Sequence, residues 1–536
     1  MALSSVERQS IQTRKSLYRQ VLSHVTQLLG GESPGVARYR RQFENEFRRR
    51  WKVAELSEIL ADIEAAQVVY LSDFHALQQS QKAHMRILRL LEPRPQRFLL
   101  LECFEARHQK SLDLYLSGKI SERDLLKAIE WKRSWGFPWE HYRPLLRWAQ
   151  KHKVRVFGIN LSSRERTAKS LHTRDQFAAD KVAEILRRFP QGQALVIFGD
   201  WHLAQVHLPA EVRKRLKSVR DVIVYQNSER LYFSLLEKNL DHSVDIVKLQ
   251  KGVYCLQNVP PWVKWQNYLI YLESNADLLL DEEDLDWTDD VAKYVALLSA
   301  DLGLKVPVDA FSVYSSGDDR LFEILSDLGE EQKQKWFRGL VEEEVSFYLP
   351  EPKVAYLGRP TVNQAAALAM SICFCEVSKV KAYPWKMPLD FHKLIWWEAI
   401  QYFGSKLLNP KRKTDSLSDL RAALQARSPS DRGREALQLA LAQKMKDLLF
   451  LSGMSDRRSL PRPRKAFSYR EAARLLGGLM GEKMYFAYRK RWLNLKTLTA
   501  LLKKSTDSEN FEPTYLEILE VLENWPEPFE SKRDKL

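Results

Sequence analysis

Residues 68–75 read VVYLSDFH, and residues 194–202 read ALVIFGDWH. Each is a short apolar run that closes on a small residue, an acid, an aromatic and a histidine. The runs are apolar at successive positions rather than at alternate ones, which predicts strands buried on both faces of a sheet. Three more such runs lie outward from these two: RFLLLECF at 97–104, VRVFGINL at 154–161 and VIVYQN at 222–227. Polar, helix-forming stretches separate all five. That alternation predicts an α/β fold, with a mostly parallel sheet covered by helices on both faces.

The strands carry almost no polar residues until their C-terminal ends, so the polar groups gather along one sheet edge, where open α/β sheets bind ligands. Ser72 or Gly199 lets the chain turn sharply off a strand, and His75 or His202, three residues on, can swing back over the edge. The run at 97–104 delivers Glu102 to the same edge. A lone histidine at a strand end is usually a satisfied structural residue, but a tetrapeptide shape that occurs twice argues for a shared cleft. Two histidines and a carboxylate have three uses. His75, Glu102 and His202 can hold a divalent metal with one position open for water. Without metal, Glu102 can act as a general base, with a histidine as acid. A histidine can also take the axial position on a haem iron. Asp73 and Asp200 stand where either could assist a water. Asp175, within HTRDQFAADKV at 172–182, is a weaker candidate, because an acid near a helix start is stabilising in its own right.

Several stretches together resemble one known family. They are SDFH (72–75), LLECFEARHQKSLDLYLSG (100–118), WKRSWGFPWEHYRPLL (131–146), GINL (158–161) and GDWHLAQVHLP (199–209). Over most of Gln67–Pro209 the chain looks like a ChaN-like domain of the haem-binding uptake, Tiki superfamily. In that family the first motif usually reads glycine, glutamate, any residue, histidine; here Ser72 and Asp73 replace the first two. The second, glycine, any two, histidine, is intact. His75, Glu102, Gly199 and His202 match, and Asp175 resembles a recurrent family position. Relatives span haem-binding, iron-regulated lipoproteins, metal-dependent proteases of the Tiki type and distant hydrolases resembling erythromycin esterases. The resemblance implies a bacterial protein that binds haem or a metal ion in a cleft at the C-terminal sheet edge, in iron or haem handling. The alternatives are a metal-dependent hydrolase or protease, and a non-catalytic scaffold whose function lies in its helical half.

At 536 residues and 45% hydrophobic the chain can bury more than one core. Past about Pro260 the strand signal fades into periodic helical segments. In GREALQLALAQKMKDLLFLSG (433–453), for example, Leu437, Leu441, Met445 and Leu448 recur at helical spacing. The expected organisation is therefore a helical lead-in over 1–66, an α/β domain over 67–259 and an α-helical domain over 260–536. Basic linkers are expected near 410–432 and 453–467. Stretch 36–66, rich in arginine and glutamate, reads as a solvated helix pair. The tryptophans of 131–142 read equally as pocket lining or as a cap over the sheet.

Lysine plus arginine exceed aspartate plus glutamate by 84 to 69, a net charge of +15. That favours solubility and weak attraction to polyanions. No zinc-finger spacing, RNP pattern or phosphate loop accompanies it, so specific nucleic-acid binding is not expected. A protein partner is expected, if at all, on the helical half. Four cysteines make no disulfide framework, and Cys373 with Cys375 reads as apolar helix core. The first residues reach charge before any apolar region forms, and no run of about eighteen apolar residues occurs. A cytoplasmic protein without a transmembrane segment is the expectation.

Overall fold

The computed structural model describes residues 5–161, 167–276, 287–308, 310–315, 318–427, 433–454, 459–523 and 525. The chain divides into two compact units, one of Lys15–Leu272 and one of Met1–Arg14 with Glu273–Lys535. These bounds differ from the boundaries at 66 and 259 read from the sequence. No described helix is long and apolar enough to cross a membrane.

The first unit is an α/β sandwich around an eight-stranded sheet. Its strands are β1 (Lys52–Val53), β2 (Val68–Asp73), β3 (Arg97–Glu105), β4 (Arg155–Asn160), β5 (Gln193–Gly199), β6 (Asp221–Gln226), β7 (Ile246–Gln250) and β8 (Val253–Leu256). They lie in the order β1-β7-β8-β6-β2-β5-β3-β4. From β8 to β4 every neighbouring pair is parallel, while β7 runs antiparallel to both β8 and β1. The five apolar runs are β2 to β6.

Side chains alternate across each strand, so one apolar run feeds two cores. Val69, Leu71, Leu99, Leu101, Leu195 and Ile197 point into one. It is covered by helices Leu56–Ala65, Gln78–Leu90 and Trp139–His152. Val68, Tyr70, Phe98, Leu100, Val196 and Phe198 point into the other. Helices Ala168–Arg188, Leu208–Arg215 and Glu229–Glu237 cover that side. Burial on both faces is what keeps polar residues toward the two ends of these strands.

The stretch read as a solvated lead-in is amphipathic instead. Phe43 and Phe47 enter one core, while Ile59 and Ile63 enter the other. Helix Pro34–Asn45 also buries Tyr39, which reaches the sheet edge described below.

The second unit is mainly helical, with a small sheet that the sequence did not announce: β9 (Ser312–Tyr314), β10 (Phe347–Leu349) and β11 (Val354–Tyr356). Helix Val362–Ser378 buries Cys373 and Cys375 as apolar core. Trp396 and Trp397 are buried on helix Phe391–Leu408. Helix Arg434–Leu451 faces inward with Leu437, Gln443, Lys444 and Asp447, leaving Met445 and Leu448 exposed. The inward polar groups are paired: Tyr515 donates to Asp447 at 2.9 Å and Lys444 meets Glu523 at 2.8 Å. Of the two expected linkers, residues 428–432 and 455–458 lie outside the described residues. Within the first, Leu417–Ala426 is a helix capped by Ser416.

Glycine sets how closely two of these helices approach. On helix Ala466–Arg489, a Cβ on Gly481 would stand 2.5 Å from the Ala399 carbonyl oxygen and 3.0 Å from Tyr402 Cβ. Backbone cannot swing aside as a flexible side chain can. Gly481→Ala would gain about 1 kcal/mol of helix propensity, yet the forced separation costs about 1–3 kcal/mol. A net loss of stability is expected, seen as a lower urea midpoint.

Candidate functional site

Strands β2 and β5 are neighbours in register, with Asp73 opposite Gly199. The two similar tetrapeptides therefore leave the middle of the sheet side by side and at one level. On the other side of β5, Leu101 lies opposite Ile197, which brings the next residue, Glu102, to the same edge. Three strands thus deliver His75, Glu102 and the Gly199 turn to one place.

Asp73 is buried and surrounded by donors. Tyr142 donates its hydroxyl to Oδ2 at 3.0 Å, Gln81 donates to Oδ1, and His75 Nδ1 lies 2.9 Å from Oδ2. Burial disfavours the Asp73 carboxylate, but the hydrogen bond and charge of His75 outweigh it and hold the carboxyl below its usual range. For His75 the balance tips the same way. Burial works against its charge, while the Asp73 bond and the charges of Glu102 and Asp73 lift the imidazole above its usual value. With Nδ1 anchored, Nε2 is the nitrogen left for chemistry, 3.7 Å from Glu102 Oε2.

Glu102 is 3% exposed and held at both oxygens. Gly199 donates its backbone N–H to Oε2 at 2.6 Å, and Arg174 pairs with Oε1. A second Arg174 nitrogen, Nε, donates to Asn160 at 3.1 Å at the end of β4. A Cβ on residue 199 would stand 3.2 Å from Glu102 Oε2 and 3.3 Å from His75 Nε2. A side chain here would press on both Glu102 and His75, while the Gly199 backbone, at φ −55°, is open to any residue.

His202 is deeper than His75. Its Nδ1 lies 2.6 Å from Asp175 Oδ1, and Tyr39 donates its hydroxyl to Asp175 Oδ2 at 2.6 Å. Burial first, then the Arg174 charge, push His202 down to about 3. Burial likewise pushes Asp175 up to about 7, against the Tyr39 hydrogen bond. Both directions favour the uncharged form of each group. His202 is thus a fixed polar wall, and Asp175 is its partner.

The unusual Ser72 has a use. Its hydroxyl donates to Asp200 Oδ1, and Asp200 Oδ2 lies 3.9 Å from Lys264 Nζ. Burial raises the Asp200 carboxyl against the Lys264 charge. Lys264 in turn pairs with Glu229 at 3.1 Å. Asp200 is thus engaged with Ser72, away from the hydrogen bonds that hold His75.

Aromatic rings frame the open side of His75. Trp135 packs at 4.5 Å and Phe137 at 5.0 Å between ring centroids. Phe137 stacks on Tyr271 of helix Pro261–Ala276 at 4.8 Å. All four side chains are only half-buried. The turn is fixed by Gly136, whose φ of +85° favours glycine, and by Trp131 Nε1, which donates to the Phe137 carbonyl at 2.8 Å. Within this tryptophan segment Trp131 and Trp139 are core, and Trp135 packs against His75.

Sequence reasoning brought His75, Glu102 and Gly199 together with His202 and Asp175, and it missed Tyr39, Arg174, Asn160 and Tyr142. Arg174 adjoins Asp175, which was the one available hint. Among the described residues, no three histidine, cysteine, aspartate or glutamate side chains are grouped so as to hold a metal ion.

Residues 59–170 match the family model described as haem-binding uptake, Tiki superfamily, ChaN. That range holds His75 and Glu102 and stops short of Asp175, Gly199 and His202. No curated protein matches. Among solved structures, ChaN of Campylobacter jejuni, described as binding haem cofacially, is 15% identical. The match covers 33% of this chain and 87% of that one, with a TM-score of 0.28. Residues 59–170 are thus similar to the ChaN-like, Tiki-superfamily family, and they lie within the α/β unit of a chain whose other unit is mainly helical.

Proposed function

We propose that the α/β unit binds haem at the C-terminal edge of its sheet, where His75 Nε2 would hold the iron, and serves in haem handling. The observation that carries this reading is the setting of His75. Its Nδ1 is fixed by the buried Asp73 carboxylate, while its ring stands in a half-buried frame of Trp135 and Phe137. A carboxylate on the far nitrogen fixes a ligating imidazole and makes it more basic. Half-buried aromatic faces suit a flat, apolar macrocycle. The donor set therefore fits haem, which when bound supplies an iron that accepts an imidazole nitrogen. Glu102 and His202 act differently. Glu102, locked by Arg174 and the Gly199 amide, sets charge beside His75, and His202 with Asp175 and Tyr39 forms an uncharged inner wall.

A divalent-metal hydrolase fits these residues less well. Both Glu102 oxygens already accept hydrogen bonds, one from the Gly199 amide and one from Arg174.

The test is a titration of ferric haem into the whole chain, followed by Soret absorbance. One haem per chain is expected. Because ligation needs neutral imidazole and the His75 value is raised, protons compete at a higher pH than for an ordinary histidine. Affinity is expected to fall as pH drops through that raised value. No stoichiometric binding at neutral pH would defeat the proposal.

A further inference from the structure

The α/β unit has a cleft of about 470 Å³, lined by none of the sheet-edge residues described above. It is lined from the chain's first helix, Ser5–Leu29, from the segment around Trp51 and from helix Glu229–Glu237. Five cationic side chains face it, against the single carboxylate of Glu237. Two of the five are engaged: Lys15 pairs with Glu237 at 2.6 Å and Arg49 with Glu46 at 3.3 Å. Arg19, Arg48 and Arg230 are exposed and have no ion-pair partner among the described residues. Three unpaired guanidiniums around one concavity repel one another, and an anion bound between them relieves that repulsion.

The rest of the lining is aromatic. Tyr18 and Phe233 pack against each other at 5.5 Å, and Phe47 is buried among the lining residues. Trp51 is half-buried, with Lys238 Nζ 4.3 Å from its ring centroid. Planar rings beside guanidiniums match a ligand with an aromatic part and a multiply charged phosphate part. Arginine forks bind phosphate oxygens bidentately, and the rings offer faces for stacking. The volume falls in the range of about 300–1,000 Å³ usual for small-molecule sites.

We propose that this cleft is a binding site for a nucleoside polyphosphate. Arg19, Arg48 and Arg230 take the phosphates, and Trp51 with the Tyr18–Phe233 pair takes the base. All six residues lie outside 59–170, so the proposal stands apart from the family likeness and from the haem reading.

The test is isothermal titration calorimetry on the full chain at about 150 mM salt, where weak surface attraction is largely screened. The probes are ATP, tripolyphosphate, adenosine and a short single-stranded oligonucleotide. ATP is expected to bind one per chain, at least about tenfold more tightly than tripolyphosphate or adenosine. Arg48→Ala with Arg230→Ala should weaken ATP at least about tenfold, and Trp51→Ala at least about fivefold. Circular dichroism of each variant should match the wild type, and haem titration of the Arg48→Ala, Arg230→Ala protein should be unchanged. Any of three results overturns the proposal: no ATP binding at millimolar concentration, tripolyphosphate as tight as ATP with Trp51→Ala neutral, or the oligonucleotide far tighter than ATP. The second would mean a bare anion patch and the third a nucleic-acid groove.

Discussion

His75→Ala is expected to weaken haem binding at least about tenfold, which corresponds to about 1.4 kcal/mol, and to change the absorbance spectrum of what still binds. The variant removes the nitrogen assigned to iron and leaves the aromatic frame in place. Trp135 and Phe137 would still hold an apolar ring, so residual binding is expected, with altered axial ligation. His202→Ala should behave differently. His202 is 5% exposed and committed to Asp175 and Tyr39, so its loss removes wall packing and strands the Asp175 carboxyl beside Tyr39. The expected result is lower stability with the axial spectrum retained. Equal spectral changes in both variants would contradict the division of roles.

Arg174→Ala is expected to destabilise the protein by about 2–3 kcal/mol, read as a lower urea midpoint. Breaking a buried ion pair by removing one partner costs about 3–5 kcal/mol, because the remaining charge stays buried. Glu102 would keep the Gly199 amide and the His75 imidazole 3.7 Å away. The figure sits below that range because the Arg174 side chain is 20% exposed, so water can reach part of the site it leaves. Adding Glu102→Gln should recover part of the loss, since the stranded charge is then gone. An unchanged midpoint in Arg174→Ala would mean that Glu102 is not held as described.

The five strands that build the site were legible because a strand buried on both faces must be apolar at every position. Strands β1 and β7 escaped that reading for physical reasons, and β8, apolar and buried throughout, is only four residues long. β1 is two exposed residues, and β7 carries Lys248, whose amine reaches Glu58 at the sheet margin. The three-residue strands β9 to β11 are too short to impose a period. His75, Glu102 and His202 were legible as a group because β2 and β5 end on the same motif. Their neighbours were not. Tyr39 comes from a charged helix far upstream, and Arg174 looked like one of many surface arginines. Both are placed by tertiary packing, which leaves no local pattern. The helical unit shows the converse at residues 434–451. The periodic Met445 and Leu448 suggested a buried stripe, yet buried polar pairs such as Asp447 with Tyr515 turned that face outward.

The central claim is that His75 Nε2 ligates the iron. Electron paramagnetic resonance of the ferric haem-loaded chain tests it most directly, with wild type, His75→Ala, and His75→Ala supplied with free imidazole compared side by side. The expected result is a nitrogen-ligated signal in wild type, its loss in the variant and its return with imidazole. The same signal in wild type and in His75→Ala without imidazole would contradict the assignment.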